Sequence, residues 1–127
     1  YLLKKGTGVQ KLQLYFTDPA KRLRALEELP KRFDDLSFST SMPFNIEINA
    51  AGATKGQAME RLCARLGVPV SAVMALGDET NDLDMLKKAG LGVAMGNAVP
   101  LVREAADAVT GSNNEGGFAA AVNRFVR

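Results

Sequence analysis

Four carboxylates crowd into a short stretch directly after an apolar segment. They are Asp78, Glu79, Asp82 and Asp84, and the apolar segment covers residues 70–76. Carboxylates this close repel one another and raise each other's pKa, a problem that a bound cation or exposure to water would remove. Oxygen-rich clusters suit a hard cation such as Mg²⁺, which also takes water and phosphate oxygens as ligands. The stretch therefore predicts either a metal site or the acidic first turn of a helix, which the helix dipole favours.

Lys55 carries the opposite charge in an unusual place. Thr54 and Gln57 have the spacing of a capping box, which puts Lys55 in the first turn of a helix. The helix dipole disfavours a cation there, but free N–H groups at a helix start bind phosphate, and a lysine adds a full charge. Gly56 beside it would admit a close ligand. Taken alone, Lys55 is better explained as a solvated surface lysine. Together with the carboxylates, it predicts a site for a phosphate and its metal.

The elements that must position these residues change character at about residue 50. Residues 1–50 predict a β-α-β(β) order, with a half-buried strand over 9–16 and a helix that begins at Pro19 and ends at or just before Pro30. Polar and apolar residues alternate along the last strand, up to Asn49. This alternation predicts an antiparallel sheet with one polar face open to solvent.

Residues 51–127 instead predict the order α-β-α-β-α-β-α, which is typical of a doubly wound parallel sheet. The predicted strands are 70–76, 91–95 and 107–110. The first predicted helix follows the N-cap Thr54 and runs to about residue 66, the second begins in the acidic cluster after Asp78 and runs to about residue 88, and the others are 98–106 and 115–126. Phe118, Val122 and Phe125 are the expected anchors of the last helix. In such sheets ligands bind beyond the carboxyl ends of the strands, which is where Asp78 lies. We place a domain boundary at about residue 50.

Composition argues against several kinds of protein. The chain has 127 residues, of which 46% are hydrophobic and 24% charged, as in ordinary globular domains. Its net charge of +2 is too small to argue for a nucleic-acid partner. No apolar run approaches the length that crosses a bilayer, so we expect no membrane partner. The sequence has no histidine, which excludes histidine-based catalysis and metal sites within it. The single cysteine, Cys63, fits a core position in a reducing, cytoplasmic compartment.

Several stretches resemble the C-terminal part of a Cof-type phosphatase. Such proteins form subfamily IIB of the haloacid dehalogenase superfamily, in which a large α/β cap is inserted into the core. The matching stretches are GDETNDLDML from residue 77, KKAGLGVAMGNA from 87 and ADAVTGSNNEGGFAAAV from 106. Upstream, IEINAAGATKGQAMERLCARLGV resembles the segment that leads from the cap back into the core. The resemblance is close from Ile46 to Val126 and looser over residues 1–45.

This resemblance implies an α/β fold in which 1–50 end an α/β cap domain and 51–127 form the C-terminal part of a Rossmann-like core. It implies that Lys55 pairs with the substrate phosphate and the nucleophile, and that Asn81 contacts the same phosphate. It also implies that Asp78 binds Mg²⁺ directly. Asp82 would support the metal through a bridging water or without contacting it. Lys55, Asp78 and Asp82 would then be the catalytic residues.

Two motifs of the resembled family are missing from these 127 residues, which begin at Tyr1. They are the Asp-x-Asp-Gly-Thr that carries the nucleophile and the Ser/Thr motif before the cap. The resemblance therefore implies a C-terminal fragment, inactive alone, of a Mg²⁺-dependent phosphatase for small phosphorylated metabolites, with sugar phosphates as the family-level expectation. A second copy could cover the exposed sheet. The alternatives are a non-catalytic module for phosphate, metal or oligomerisation, and a phosphomutase of the same fold.

Overall fold

The computed structural model describes residues 8–126, and the chain divides into two compact units between Ala53 and Thr54. The first unit contains β1 (Lys11–Tyr15), α1 (Pro19–Arg32), β2 (Leu36–Ser39) and β3 (Asn45–Ala50). The second contains α2 (Lys55–Leu66), β4 (Met74–Gly77), α3 (Leu83–Lys88), β5 (Leu91–Ala94), α4 (Pro100–Ala105), β6 (Ala108–Val109) and α5 (Gly117–Phe125). Short 3₁₀ turns lie at Val70–Ala72, Thr80–Asp82 and Asn113–Glu115. No helix within this described range is long and apolar enough to cross a membrane.

The sheet of the first unit is antiparallel, as predicted, with β3 between β1 and β2. The predicted open polar face is wrong at its centre, because Asn45 is 1% and Glu47 5% exposed. Side chains around the central strand cover them: Glu47 accepts from Gln13 at 3.2 Å and from Ser41 at 2.6 Å, and pairs with Lys11 at 2.7 Å. A buried polar group must be hydrogen-bonded, and this network meets that condition.

The first strand is less buried than its pattern predicts. Leu12 and Leu14 alternate as expected, and Leu12 lies opposite Ile48 of β3. They are nevertheless 50% and 38% exposed. The physical reason is position, because β1 lies at the edge of the sheet in the part of the chain that the structure describes.

Helix α1 begins as predicted, with Asp18 accepting from the N–H of Ala20 at 2.9 Å and Pro19 at the first helical position. The predicted end at Pro30 is wrong, since the helix continues to Arg32. A proline removes one helical hydrogen bond. Bonding resumes after it, however, because the N–H of Phe33 donates to the Leu29 carbonyl at 3.2 Å.

The second unit contains the predicted parallel sheet, in the order β4-β5-β6. Its core lies around β5 and the helices that pack beside it, where Val93 and Val102 are fully buried and Leu86 is 1% exposed. Cys63 is buried, as predicted. The alternation of helices and strands read from residues 51–127 is therefore confirmed, with shorter elements.

Two predictions for this unit are wrong in detail. The strand predicted over 70–76 begins only at Met74, because Val70–Ala72 form a 3₁₀ turn closed by a 3.0 Å bond from the Val73 N–H to the Val70 carbonyl. The strand also lies at the sheet edge among the described residues, so Met74 and Leu76 are half-buried. In α5, Phe118 is 63% exposed and does not anchor the helix; Ala121 is fully buried instead.

The buried network around Glu47 predicts a pH-dependent stability. Burial by itself raises the pKa of Glu47, but hydrogen bonds from Lys11, Ser41 and Gln13 and the charge of Lys11 together lower it below its ordinary value of 4.5. A carboxyl with a lowered folded-state pKa stabilises the fold fully above about pH 4.5, and this stabilisation is lost as the pH falls through the folded-state pKa.

We therefore expect Glu47→Gln to lose less stability on acidification than the unsubstituted chain. Urea unfolding midpoints at several pH values between about 3 and 7 measure the difference. Glu28→Gln is the matched control, because Glu28 is exposed and forms a surface pair with Lys31. Identical pH profiles for Glu47→Gln and the unsubstituted chain would contradict the expectation.

Candidate active site

Three loops meet at one edge of the parallel sheet, since the carboxyl ends of parallel strands lie together. Asp78 follows β4 directly, Asn97 follows β5, and Asn113 begins the turn after β6. Backbone hydrogen bonds join these loops: the Met95 N–H donates to the Gly77 carbonyl at 2.9 Å. The predicted site lies on these loops and on the start of α2.

Lys55 reaches this edge from the first turn of α2. Thr54 caps the helix as predicted, accepting from the N–H of Gln57 at 3.2 Å. The Lys55 ammonium lies 2.5 Å from Oδ1 of Asp82 and 3.3 Å from Oδ1 of Asn81. Its side chain remains 51% exposed. Lys55 is thus held by partners 26 and 27 residues away, while enough of it stays accessible to meet a ligand.

Asp82 is the buried centre of the site, with a residue exposure of 4%. One carboxylate oxygen pairs with Lys55. The other accepts from the backbone N–H groups of Asp78 at 3.0 Å and Glu79 at 3.1 Å. Both oxygens are therefore engaged by the protein itself, and the carboxylate holds the loop after β4 as well as the lysine.

Gly77 makes room for this arrangement. A Cβ at this position would lie 2.4 Å from the Cβ of Asp82, far inside any allowed contact. Glycine is required here because the backbone of Gly77 must pass directly against the Asp82 side chain.

Asp78 is half-buried and has different neighbours. Its Oδ2 accepts from the Asn97 amide at 2.9 Å, and its backbone carbonyl accepts from the Val99 N–H at 3.0 Å. No ion pair between residues 8 and 126 involves Asp78. Lys55 is paired with Asp82, so the charge of Asp78 is left for a cation to neutralise.

The residues present suit Mg²⁺ and would supply part of its coordination shell. No group of three acidic or cysteine side chains that could hold a metal by themselves is found in the described part of the chain. Mg²⁺ does not need such a group, because it is usually bound through one or two carboxylates, waters and substrate phosphates. Asp78 suits this role. Asp82 suits it less, because the protein engages both of its oxygens.

Asp84 and Gly56 serve the packing of two helices. Oδ2 of Asp84 accepts from the Thr54 hydroxyl, and Oδ1 pairs with Lys88 at 3.3 Å. A Cβ on Gly56 would lie 2.8 Å from the backbone carbonyl carbon of Asp84. Gly56 therefore allows α2 to approach α3, and the interpretation that it admits a ligand is corrected.

Sequence reasoning gave no role to Asn97, which contacts Asp78. The signal was available, since Asn97 follows a buried strand just as Asp78 does and lies within the stretch KKAGLGVAMGNA. Applying the rule for strand ends to every predicted strand would have selected it.

Comparison with known proteins now identifies the family. The family described as haloacid dehalogenase-like hydrolase matches residues 2–122 of this chain. The chain belongs to this family. The family resemblance drawn from the sequence is thereby confirmed.

Relatives of this chain include named phosphatases. A 5-amino-6-(5-phospho-D-ribitylamino)uracil phosphatase of Bacillus subtilis is 47% identical over 105 residues, which are 83% of this chain and 42% of that protein. A solved haloacid dehalogenase-like hydrolase of B. subtilis matches with a TM-score of 0.86 and 35% identity, over 92% of this chain and 41% of the other. A subclass IIB sugar phosphatase matches with a TM-score of 0.84 and 28% identity, over 94% and 44%. The chain thus spans less than half the length of these relatives.

The contact between Gly77 and Asp82 yields a second prediction. Gly77→Ala is expected to destabilise the chain by about 1–3 kcal/mol, because the added methyl group must push the buried Asp82 side chain or the backbone aside. Chemical denaturation measures the change. Gly8→Ala is the control, since a Cβ there meets no atom within 4 Å. Equal unfolding midpoints for the two variants would refute this account of Gly77.

Proposed function

We propose that this chain supplies the lysine and metal-binding part of the active site of a Mg²⁺-dependent phosphatase. The observation that carries the proposal is the Lys55–Asp82 pair beside Asp78, at the carboxyl edge of a parallel sheet. Membership of the haloacid dehalogenase-like hydrolases and the phosphatase names of the relatives support it. In this proposal residues 1–50 belong to a cap domain and residues 51–127 to the catalytic core.

Lys55 and Asn81 would bind the substrate phosphate. The half-exposed ammonium of Lys55 offers a full positive charge, and Asp82 fixes where that charge lies. Oδ1 of Asn81 accepts from Lys55, which leaves its Nδ2 group as a donor for a phosphate oxygen. Two donors held in this way would orient the phosphoryl group before reaction, which is an important source of rate acceleration.

Asp78 would bind Mg²⁺ directly. The ion, when bound, neutralises charge on the phosphoryl oxygens. Asp82 would act on the metal only indirectly, because its carboxylate oxygens bind Lys55 and the N–H groups of Asp78 and Glu79. It thereby sets the distance between the cation of the lysine and the metal-binding carboxylate.

The nucleophile would come from residues outside these 127, since the sequence contains no Asp-x-Asp-Gly-Thr. An aspartate oxygen would attack phosphorus and break the bond to the leaving alkoxide oxygen, which takes a proton. The resulting aspartyl phosphate would then be cleaved by water to give inorganic phosphate and the free carboxylate.

The proposed substrates are small phosphorylated metabolites, with sugar phosphates and related polyol phosphates first. Two relatives support this choice, because one is named for a phosphoribityl compound and another is described as a sugar phosphatase. Phosphoribityl compounds and sugar phosphates are both phosphate esters of hydroxylated carbon chains.

The metal assignment can be tested in the full-length protein that contains this chain. We expect Asp78→Asn to lower kcat/KM for para-nitrophenyl phosphate in the presence of Mg²⁺ by about 100-fold or more, because the variant keeps the shape but loses the charge that binds the cation. Steady-state kinetics at several Mg²⁺ concentrations measure the loss.

Glu104→Gln is the matched control, since it makes the same charge change at an exposed site on α4. Full activity of Asp78→Asn would refute the metal assignment. Phosphate binding without any turnover by the full-length protein would instead favour a non-catalytic module.

A further inference from the structure

Asn97 joins the loop after β4 to the loop after β6. Its Nδ2 group donates to Oδ2 of Asp78 at 2.9 Å, and its Oδ1 accepts from the backbone N–H of Asn113 at 2.9 Å. The two contacts also fix which end of the amide is which. A flipped amide would set its carbonyl oxygen against a carboxylate and its NH₂ group against an N–H, and neither pair can form a hydrogen bond.

The backbone around Asn97 is held from both sides. The Gly96 N–H donates to the Gly111 carbonyl at 3.0 Å, and the Val99 N–H donates to the Asp78 carbonyl at 3.0 Å. A Cβ on Gly96 would lie 2.8 Å from the backbone nitrogen of Ser112, so the two loops touch there. The main chain at Asn97 is therefore fixed. Its side-chain amide cannot move without losing its hydrogen bonds to Asp78 and Asn113.

The turn on the far side is also anchored. The Ser112 hydroxyl accepts from the N–H of Asn114 at 3.3 Å, and the N–H of Glu115 donates to the Ser112 carbonyl at 3.0 Å. The N–H that holds Asn97 thus belongs to a closed turn. Asp78 is connected, through the Asn97 side chain, to a hydrogen-bonded turn that lies outside its own loop.

We propose that Asn97 is a positioning residue, which sets the orientation of the Asp78 carboxylate for its ligand. The inference rests on the proposed function, in which Asp78 binds Mg²⁺. An aspartate side chain that is only half-buried populates several rotamers unless a partner selects one. Hydrogen-bond partners of metal-binding carboxylates contribute to metal affinity in this way, and their loss typically costs about 10–100-fold.

The test is a Mg²⁺ titration, by isothermal titration calorimetry, of the full-length protein that contains this chain. We expect Asn97→Ala to weaken Mg²⁺ binding about tenfold, with little change in the thermal unfolding midpoint, because Asn97 is exposed. Asn114→Ala is the matched control. It deletes the same side chain from an exposed neighbour that is held through its backbone N–H, and its Mg²⁺ affinity should be unchanged.

Equal Mg²⁺ affinity in Asn97→Ala and the unsubstituted full-length protein would overturn the proposal and leave the metal assignment of Asp78 standing. No Mg²⁺ binding by the unsubstituted full-length protein would instead overturn the metal assignment and this proposal with it.

Hydrogen exchange tests the bridge without metal or activity. The Asn113 amide should exchange several-fold faster in Asn97→Ala, and also in Asp78→Ala, because the amide side chain then loses its anchor. An unchanged rate in Asp78→Ala would show that Asp78 and Asn113 are not coupled through Asn97.

Discussion

The site depends on a buried carboxylate that must not be left without partners. Asp82 is 4% exposed, and an isolated charge at that depth would be strongly disfavoured. It is stabilised by one cation, Lys55, and by two backbone N–H groups. Removing one partner of such a group costs more than the pair contributes, because a buried charge remains. The start of α2 and the loop after β4 are therefore held in one arrangement.

The parallel sheet brings further polar side chains to the same edge as this carboxylate. Parallel strands end at a common edge, so Asp78, Asn97 and Asn113 come together although they are separated in sequence. Glycine allows close approach at two points: the backbone of Gly77 lies against the Asp82 side chain, and the backbone of Gly96 lies against that of Ser112 in the next loop. The chemistry-bearing side chains are thus placed by main-chain packing and by hydrogen bonds, and each loop stabilises its neighbour.

The sequence-based predictions of the fold were correct where the residue pattern reflects a local property of the chain. The cap at Asp18 and the parallel strand at Leu91–Ala94 follow from capping chemistry and from apolar runs, which act over a few residues. The predictions were wrong where residues distant in sequence decide whether a side chain is buried. Glu47 alternates like a solvent-facing residue, yet side chains from β1 and from the loop after β2 bury it. Phe118 has the spacing of an anchor but stays exposed.

The sequence by itself determined the order of helices and strands in the second unit and the residue types that suit a phosphate and a cation. Lys55 and Asp78 were selected because their charges are anomalous next to a helix start and a buried strand. Only the tertiary structure decided what each residue does there. It separated Asp82, whose oxygens the protein itself engages, from Asp78, whose charge no lysine or arginine in the described range neutralises, and it brought Asn97 to Asp78. The reason is that side-chain contacts between loops depend on strand order and close backbone approach, which spacing along the chain does not encode.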